Sequence, residues 1–371
     1  MMKIPACACP SLSIGGTYNA LASMAGGRIF PTDIPTTTTK LNTITSDFQL
    51  VQKSRDVSKL LDFSAEVSLK IGTNLINADW AGQFIKETKN EEEMISVMAV
   101  MKCTKLTETI NRGQVEPFKN VAGIGTHYVR SVKYGGELVA SLTFKSEDSS
   151  DIKKFHKGVR MSPTPLGTFV DGGLVAALNG LFTTYRNFTD LRIRYYDTVS
   201  ANKFPTTVDG LIEQIRNFPA QMAQIQQGIP LEYELVPVSE IGLTGPLMVQ
   251  HEVQPEDLLD RFDDLRRASG LAKKYLSIAS ATPANDFVKF LNEATGVKRA
   301  MKKAIRNLHR DKGERLLNES IQAYDKALGG QMNFVGKFVI EWRRLTRGIK
   351  KKLLLEITVL CGRGIKRNVY A

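Results

Sequence analysis

The sequence predicts an α+β protein whose strands come first and whose helices come last. Three observations point that way. Leu61, Phe63, Ala65, Val67, Leu69 and Ile71 alternate with Asp62, Ser64, Glu66, Ser68 and Lys70, and strict alternation puts every apolar side chain on one face of a strand. After Pro255, the residues Leu258, Leu259, Phe262 and Leu265 form the stripe of an amphipathic helix. The chain has 371 residues, too many for one ordinary core, so more than one domain is expected. The boundary is expected between Gly242 and Gln254, giving a first domain over residues 1–245 and a helical domain over residues 255–371.

The elements follow in order. Residues 1–41 read as irregular, because Gly15-Gly16, Gly26-Gly27, Pro31, Pro35 and four consecutive threonines are turn signals. Thr43 to Gln52 is the first expected strand and the alternating run Leu61 to Ile71 the second. Asn77 to Glu93 is polar and is expected as helix and loop. Met94 to Ile110 and His127 to Phe144 are long strands, the latter interrupted by Gly135-Gly136. Lys145 to Thr189 is glycine-rich and carries Pro163 and Pro165, which remove ladder donors. Asp190 to Val199 is a strand in which Leu191, Ile193 and Tyr195 alternate with Arg192, Arg194 and Tyr196. Val208 to Ile225 is an amphipathic helix and Leu231 to Val236 a short strand closed by Pro237. Asn285 to Arg310, Glu314 to Leu328 and Asn333 to Leu355 are the helices expected after the one that begins at Pro255.

Composition narrows the function. No run of eighteen apolar residues is present, so no transmembrane helix is expected. The first ten residues lack the apolar core of a secretory signal. The expectation is a soluble chain, cytosolic or released by a nonclassical route. Cys7, Cys9, Cys103 and Cys361 have no accompanying histidine cluster, so reduced thiols are expected, with no metal and no cofactor. The sequence has no P-loop, no Gly-x-Ser-x-Gly, no zinc-binding histidine pair and no dinucleotide fingerprint, and no enzyme is expected. The formal net charge is +12, and Lys298 to Ala371 alone holds 19 Lys/Arg against 6 Asp/Glu. Arg343, Arg344, Arg347, Lys350, Lys351 and Lys352 flank an apolar stripe there, the pattern of a helix on an anionic membrane or of a solvated bundle face. Aromatic interleaving in that segment is sparse, so no nucleic-acid partner is expected.

One short stretch carries a family resemblance. Gly125-Thr126-His127-Tyr128 resembles the Gly-Thr-His-aromatic core of the MACPF signature of the MACPF/CDC superfamily. Ile4-Pro5-Ala6 through Gly15, Thr17 and Tyr18 is similar to the opening of its stonustoxin-like branch. Phe204-Pro205 through Pro230 and Leu235-Val236-Pro237 resembles that branch's closing helix and strand, and the segment after Pro255 looks like its focal-adhesion-targeting-like bundle. The resemblance implies a bent, antiparallel, four-stranded sheet flanked by two helical clusters that refold into β-hairpins when subunits assemble on a membrane.

Expectations for the site residues follow from it. Gly125, Thr126, His127 and Tyr128 are structural, with no catalytic role for His127. Gly135 and Gly136 are a sheet hinge or an ordinary bulge. Leu61, Phe63, Ala65, Val67, Leu69 and Ile71 either face lipid in a spanning strand or belong to an amphipathic strand of the soluble fold. His156, His251 and His309 are expected to be solvated. The expected partners are a lipid membrane, anionic or receptor-bearing, and further copies in rings or arcs, with or without a paralogous subunit. The rival expectation is a nonlytic protein of the same fold that uses its helical bundle for docking.

Overall fold

Four long strands set the frame: β4 (Thr36–Val51), β5 (Met94–Ile110), β6 (His127–Lys145) and β8 (Asp190–Asp197). They pair antiparallel in the order β4-β5-β6-β8. In a computed structural model of the chain, described over residues 2–86, 94–111, 113–145, 167–169, 173–184, 190–199, 204–249, 255–276, 281–328 and 334–338, these strands belong to one nine-stranded sheet. The architecture is α+β with an antiparallel sheet, as the sequence implies.

Residues 1–41 are more regular than their turn signals suggest. They form β1 (Met2–Pro5), β2 (Gly16–Asn19), β3 (Met24–Arg28) and the first rungs of β4. The partners are distant in sequence: β1 pairs with β9 (Ile229–Pro237) and β2 with β6. Such pairing is invisible to local propensity. The four threonines, Thr36 to Thr39, begin β4, where β-branched side chains suit a strand. The remaining strand, β7 (Gly167–Phe169), meets β4 at Ser46–Phe48.

The alternating run is the main correction. Leu61 to Ile71 is not a strand: α1 (Ser54–Leu60) ends just before it and α2 (Ala65–Gly72) occupies most of it, followed by α3 (Asp79–Lys86). The Asp56 carboxylate accepts from the backbone N–H of Gln52 and Lys53 and so starts α1. Ser64 caps α2 by accepting from the Val67 N–H at 3.2 Å. On a helix, alternation spreads apolar groups over two faces. Val67 and Ile71, four residues apart, pack on the sheet side, while Leu69 packs into the core of the C-terminal helices. The pattern that reads as one buried strand face is thus a short helix buried on both sides.

Helices cover both faces of the sheet. α1–α3 share one core with Met98, Val100, Val132 and Val139, while α4 (Gly173–Thr184) and α5 (Val208–Ala223) share the other with Val97, Ala99, Leu138 and Leu142. α6 (Pro255–Leu276), α7 (Ala281–Arg306) and α8 (Gly313–Leu328) pack on each other around Leu258, Leu265, Phe287, Met301 and Leu317, joined by Phe334 and Phe338 from a helical stretch at 334–338. The rest of the helix expected from Asn333 to Leu355 lies outside the described residues.

Candidate functional site

The signature stretch is a staple between strands. Gly125 lies so close to β2 that a Cβ there would stand 2.4 Å from the Tyr18 carbonyl oxygen, so no larger residue fits. The Thr126 hydroxyl donates to the Tyr18 carbonyl at 3.1 Å and accepts from the Ala20 N–H at 3.0 Å. His127 Nδ1 lies 2.8 Å from the same hydroxyl. Burial first, then the N-terminal amine and His309, hold the His127 pKa below its ordinary value. Tyr128 is buried edge-on against Phe30, with ring centroids 5.7 Å apart.

Gly135 and Gly136 lie on a line of irregularities that crosses the sheet. The β4–β5 register shifts between Lys40 and Thr43, the β5–β6 register between Thr104 and Leu106, and the β6–β9 register between Lys133 and Tyr134. Each shift is a bulge, which bends and twists a strand locally. At the same level β6 changes its second neighbour: His127–Gly135 pairs with β9, and Leu138–Lys145 pairs with β8.

The helices α1–α3 fill the connection between β4 and β5, and they are fastened at both sides. On the sheet side, Lys102 of β5 reaches the Leu61 carbonyl at 3.2 Å and Asp62 Oδ2 at 2.5 Å. The buried Lys70 ammonium donates to the Ala20 carbonyl at 3.2 Å. Trp80 of α3 stacks on Tyr196 of β8, with centroids 4.2 Å apart and planes 10° from parallel. On the helical side, Asp263 of α6 accepts from the Ser54 N–H at 2.8 Å and the Ser54 hydroxyl at 2.9 Å. Arg266 lies 3.3 Å from Asp263 and donates to the Ser54 hydroxyl and the Ile85 carbonyl. Arg55 pairs with Asp260 at 2.7 Å.

His309, expected to be solvated, instead faces α2. Its Nε2 stands 2.9 Å from Glu66 Oε2, and Glu66 also pairs with Lys70 at 2.6 Å. Burial would raise the Glu66 pKa, but the His309 hydrogen bond and the Lys70 and His309 charges outweigh it and hold the carboxyl at about 2. A depressed carboxyl stabilises the fold above its unfolded pKa and stops doing so as pH falls through its folded pKa. Glu66→Gln is therefore expected to cost roughly 3 kcal/mol at pH 7. The gap from the parent should close between about pH 4.5 and pH 2, read from urea unfolding at each pH. A constant gap would remove the charge argument.

These fastenings escape pattern reading because each joins residues far apart in the chain, from 40 positions for Lys102 and Asp62 to 243 for His309 and Glu66. One signal was available: Asp263 lies four residues after Leu259 on the apolar stripe of α6, and an acid on a buried face needs a partner. Of the other site residues, Gly125–Tyr128 lead into β6 and Gly135-Gly136 lie farther along it, at the opposite end of its ladder with β9, while Leu61, Phe63, Val67 and Ile71 face the sheet-side core and Leu69 the helical one. Arg343, Arg344, Arg347, Lys350, Lys351, Lys352, His156 and His251 lie outside the described residues. No described helix is long and apolar enough to cross a membrane.

Comparison with known proteins separates fold from sequence. No family model and no curated protein matches the chain. Among solved structures, stonustoxin matches over 93% of this chain and 48% of its own, with a TM-score of 0.53 at 12% identity. A putative cell invasion protein with a MAC/Perforin domain from Bacteroides thetaiotaomicron covers 67% of this chain and 58% of its own (TM-score 0.34, 10% identity). A non-hemolytic pneumolysin from Streptococcus pneumoniae covers 54% and 41% (TM-score 0.31, 13% identity). The last two superpose too loosely for sites to be compared. At such identities the likeness is one of fold: the chain has a MACPF/CDC-type fold and spans about half the length of the stonustoxin chain.

Proposed function

We propose that this protein assembles on membranes and inserts the segment between β4 and β5 as a β-hairpin, opening a pore. The observation that carries the reading is the register of the β4–β5 ladder, which ends with Val51 opposite Ser96. Continued without slip, that register sets Phe63 opposite Phe84, Val67 opposite Trp80, Leu69 opposite Ala78 and Ile71 opposite Ile76, and closes on Thr73-Asn74. Apolar meets apolar at these four rungs, on one face, as a lipid-facing barrel strand requires; on the same face Ala65 meets Gly82, and Lys86 stands opposite Leu61 at the near end of the run. Asn74 already has a φ of 59° in the folded chain, a conformation that two-residue hairpin turns use. The second connection, between β6 and β8, also leaves and returns at one rung, Lys145 opposite Asp190.

Self-association has its own support. The outer edge of β4 carries no partner from Thr37 to Thr45 among the described residues, and this stretch is exposed. An open edge is a template for another strand, and closure into a barrel is the only way a sheet spans lipid without orphaned donors. Rings or arcs of copies, with or without a second subunit, are the assembly we propose. We propose opening of the sheet along the bulge line at Gly135-Gly136. An anionic lipid surface is the proposed target, met by Arg343, Arg344, Arg347 and Lys350 to Lys352.

Four single cysteines, in a chain whose native cysteines are serines, test the hairpin. Val67, Ser68, Ala78 and Ala81 are all buried in the folded chain, so cysteines there should resist a water-soluble maleimide. On phosphatidylserine vesicles, Ser68→Cys and Ala81→Cys should become reactive while Val67→Cys and Ala78→Cys stay protected, in step with dye release. Protection repeating every three to four residues on the membrane would refute the hairpin. Binding without dye release or new reactivity would favour the nonlytic docking protein.

A further inference from the structure

The turn between α1 and α2 closes on its own backbone hydrogen bonds and buries Leu61 and Phe63, and one ammonium group ties it to the sheet. Lys102 holds it through the Leu61 carbonyl at 3.2 Å and Asp62 Oδ2 at 2.5 Å. Asp62 sits at a φ of 58°, a left-handed backbone that a non-glycine residue adopts at some cost, and the Lys102 contact offsets part of that cost. The Asp62 side chain is 71% exposed, and an exposed ion pair holds weakly. Directly across the ladder from Lys102 stands Glu137, the first residue after the glycine pair. Its backbone N–H donates to the Thr198 hydroxyl at 3.1 Å and its carbonyl accepts from the Thr198 N–H at 3.1 Å, so the residue is fixed in place beside Lys102. Two carboxyl groups, one on the sheet and one on the turn, thus compete for one ammonium.

We propose that Glu137, Lys102 and Asp62 form a pH-responsive catch: neutral Glu137 leaves Lys102 on the α1–α2 turn, and ionised Glu137 draws Lys102 across the ladder and frees it. Burial raises the Glu137 pKa, Lys102 opposes the rise, Asp62 adds to it, and the result is about 7. Those two charges, from β5 and from the turn, act on the carboxyl, and β8 meets the residue through Thr198. The sign follows. A carboxyl whose pKa is raised in the closed state favours that state fully below the ordinary glutamate value and ceases to do so as pH rises through about 7. Acid therefore keeps the catch closed, and mildly alkaline conditions release it.

The catch belongs to the soluble chain and can be tested without lipid, so its failure is separate from failure of the pore reading. Trp80 reports on α3, which packs with α1 and α2 against the sheet. The chain has two tryptophans, and Trp342→Phe leaves Trp80 alone. In that background, acrylamide quenching of Trp80 between pH 5.5 and pH 8.5 should rise with a midpoint near 7. Glu137→Gln should abolish the rise and keep quenching at its low-pH level. Asp62→Asn, an exposed change that tolerates the left-handed backbone, should move the midpoint to lower pH because a charge that raises the Glu137 pKa is gone. An unchanged midpoint in Glu137→Gln would overturn the proposal. If that variant does not fold, a midpoint in Asp62→Asn that stays put or moves up would overturn it equally.

Discussion

Gly135→Ala is expected to destabilise the folded chain by more than the ~1–3 kcal/mol usual for overpacking, and to leave little soluble protein. A Cβ at this position would stand 2.0 Å from the Cys103 carbonyl oxygen and 3.0 Å from its carbon. Those are backbone atoms of the neighbouring strand, and moving them breaks the β5–β6 ladder on both sides of the bulge. Gly136→Ala is a different case. Its Cβ would meet the Met222 sulfur at 2.3 Å and the Thr198 hydroxyl at 2.6 Å, and a methionine side chain can swing aside. The expected cost is about 1–3 kcal/mol. Chemical denaturation of the two single variants gives the comparison, and Gly135→Ala matching the parent would remove the close-approach argument. The same contrast bears on the proposed sheet opening. A variant that never folds says nothing about movement, so Gly136→Ala is the substitution with which to look for a chain that binds vesicles without permeabilising them.

Asp263→Ala should cost about 3–5 kcal/mol, the range for removing one partner of a buried ion pair. Asp263 is buried and accepts two hydrogen bonds from Ser54, and its loss leaves the nearby Arg266 guanidinium, 19% exposed, without its carboxylate. The damage should be directional. Amide exchange is expected to accelerate in α1 and α3, where Ser54 and Ile85 are held, while the β5–β6 ladder keeps its protection. Uniform acceleration over the sheet would mean that Asp263 supports the whole fold rather than this attachment. Asp263→Asn keeps an acceptor for Ser54 and is expected to lose less. If the pore reading is correct, a moderately loosened variant should also release vesicle dye faster than the parent at equal folded concentration.

Much of the frame was legible because long strands and amphipathic helices write their period into the sequence. Met94 to Ile110 is β5 to the residue, His127 to Phe144 is β6 less one residue, and α6 begins at Pro255. The first forty-one residues were not legible, since short strands such as Gly16–Asn19 are defined by partners more than a hundred positions away. The run Leu61 to Ile71 misled for a physical reason. A helix of two turns held between a sheet and a helical core needs apolar groups on opposite faces, and positions two apart supply them as well as a strand does. Ser68 sharpens the point. It is the residue a strand would turn to water, yet it is fully buried in the folded chain. An arginine there would be rejected before any membrane is met, so only small probes can distinguish the two faces. The signature residues stand out in the sequence, but their partners Tyr18 and Ala20 lie in the stretch read as irregular.

The rung at which Val51 meets Ser96 also sets a standoff. At ~3.4 Å per residue, a hairpin continued from that rung to Thr73-Asn74 would reach about 75 Å, more than twice the ~30 Å of a hydrocarbon core. The far half, Leu61 to Ile71 and its return arm, would suffice to span. The near half would stand in water, and its composition suits that place: Gln52-Lys53-Ser54-Arg55-Asp56 leads out, and Glu87-Thr88-Lys89-Asn90-Glu91-Glu92-Glu93 leads back. The body of each subunit would then ride roughly 30 Å above the lipid on charged stalks, and the height of the particle over the bilayer, seen edge-on by cryo-electron microscopy, becomes a quantity fixed by one pair of residues.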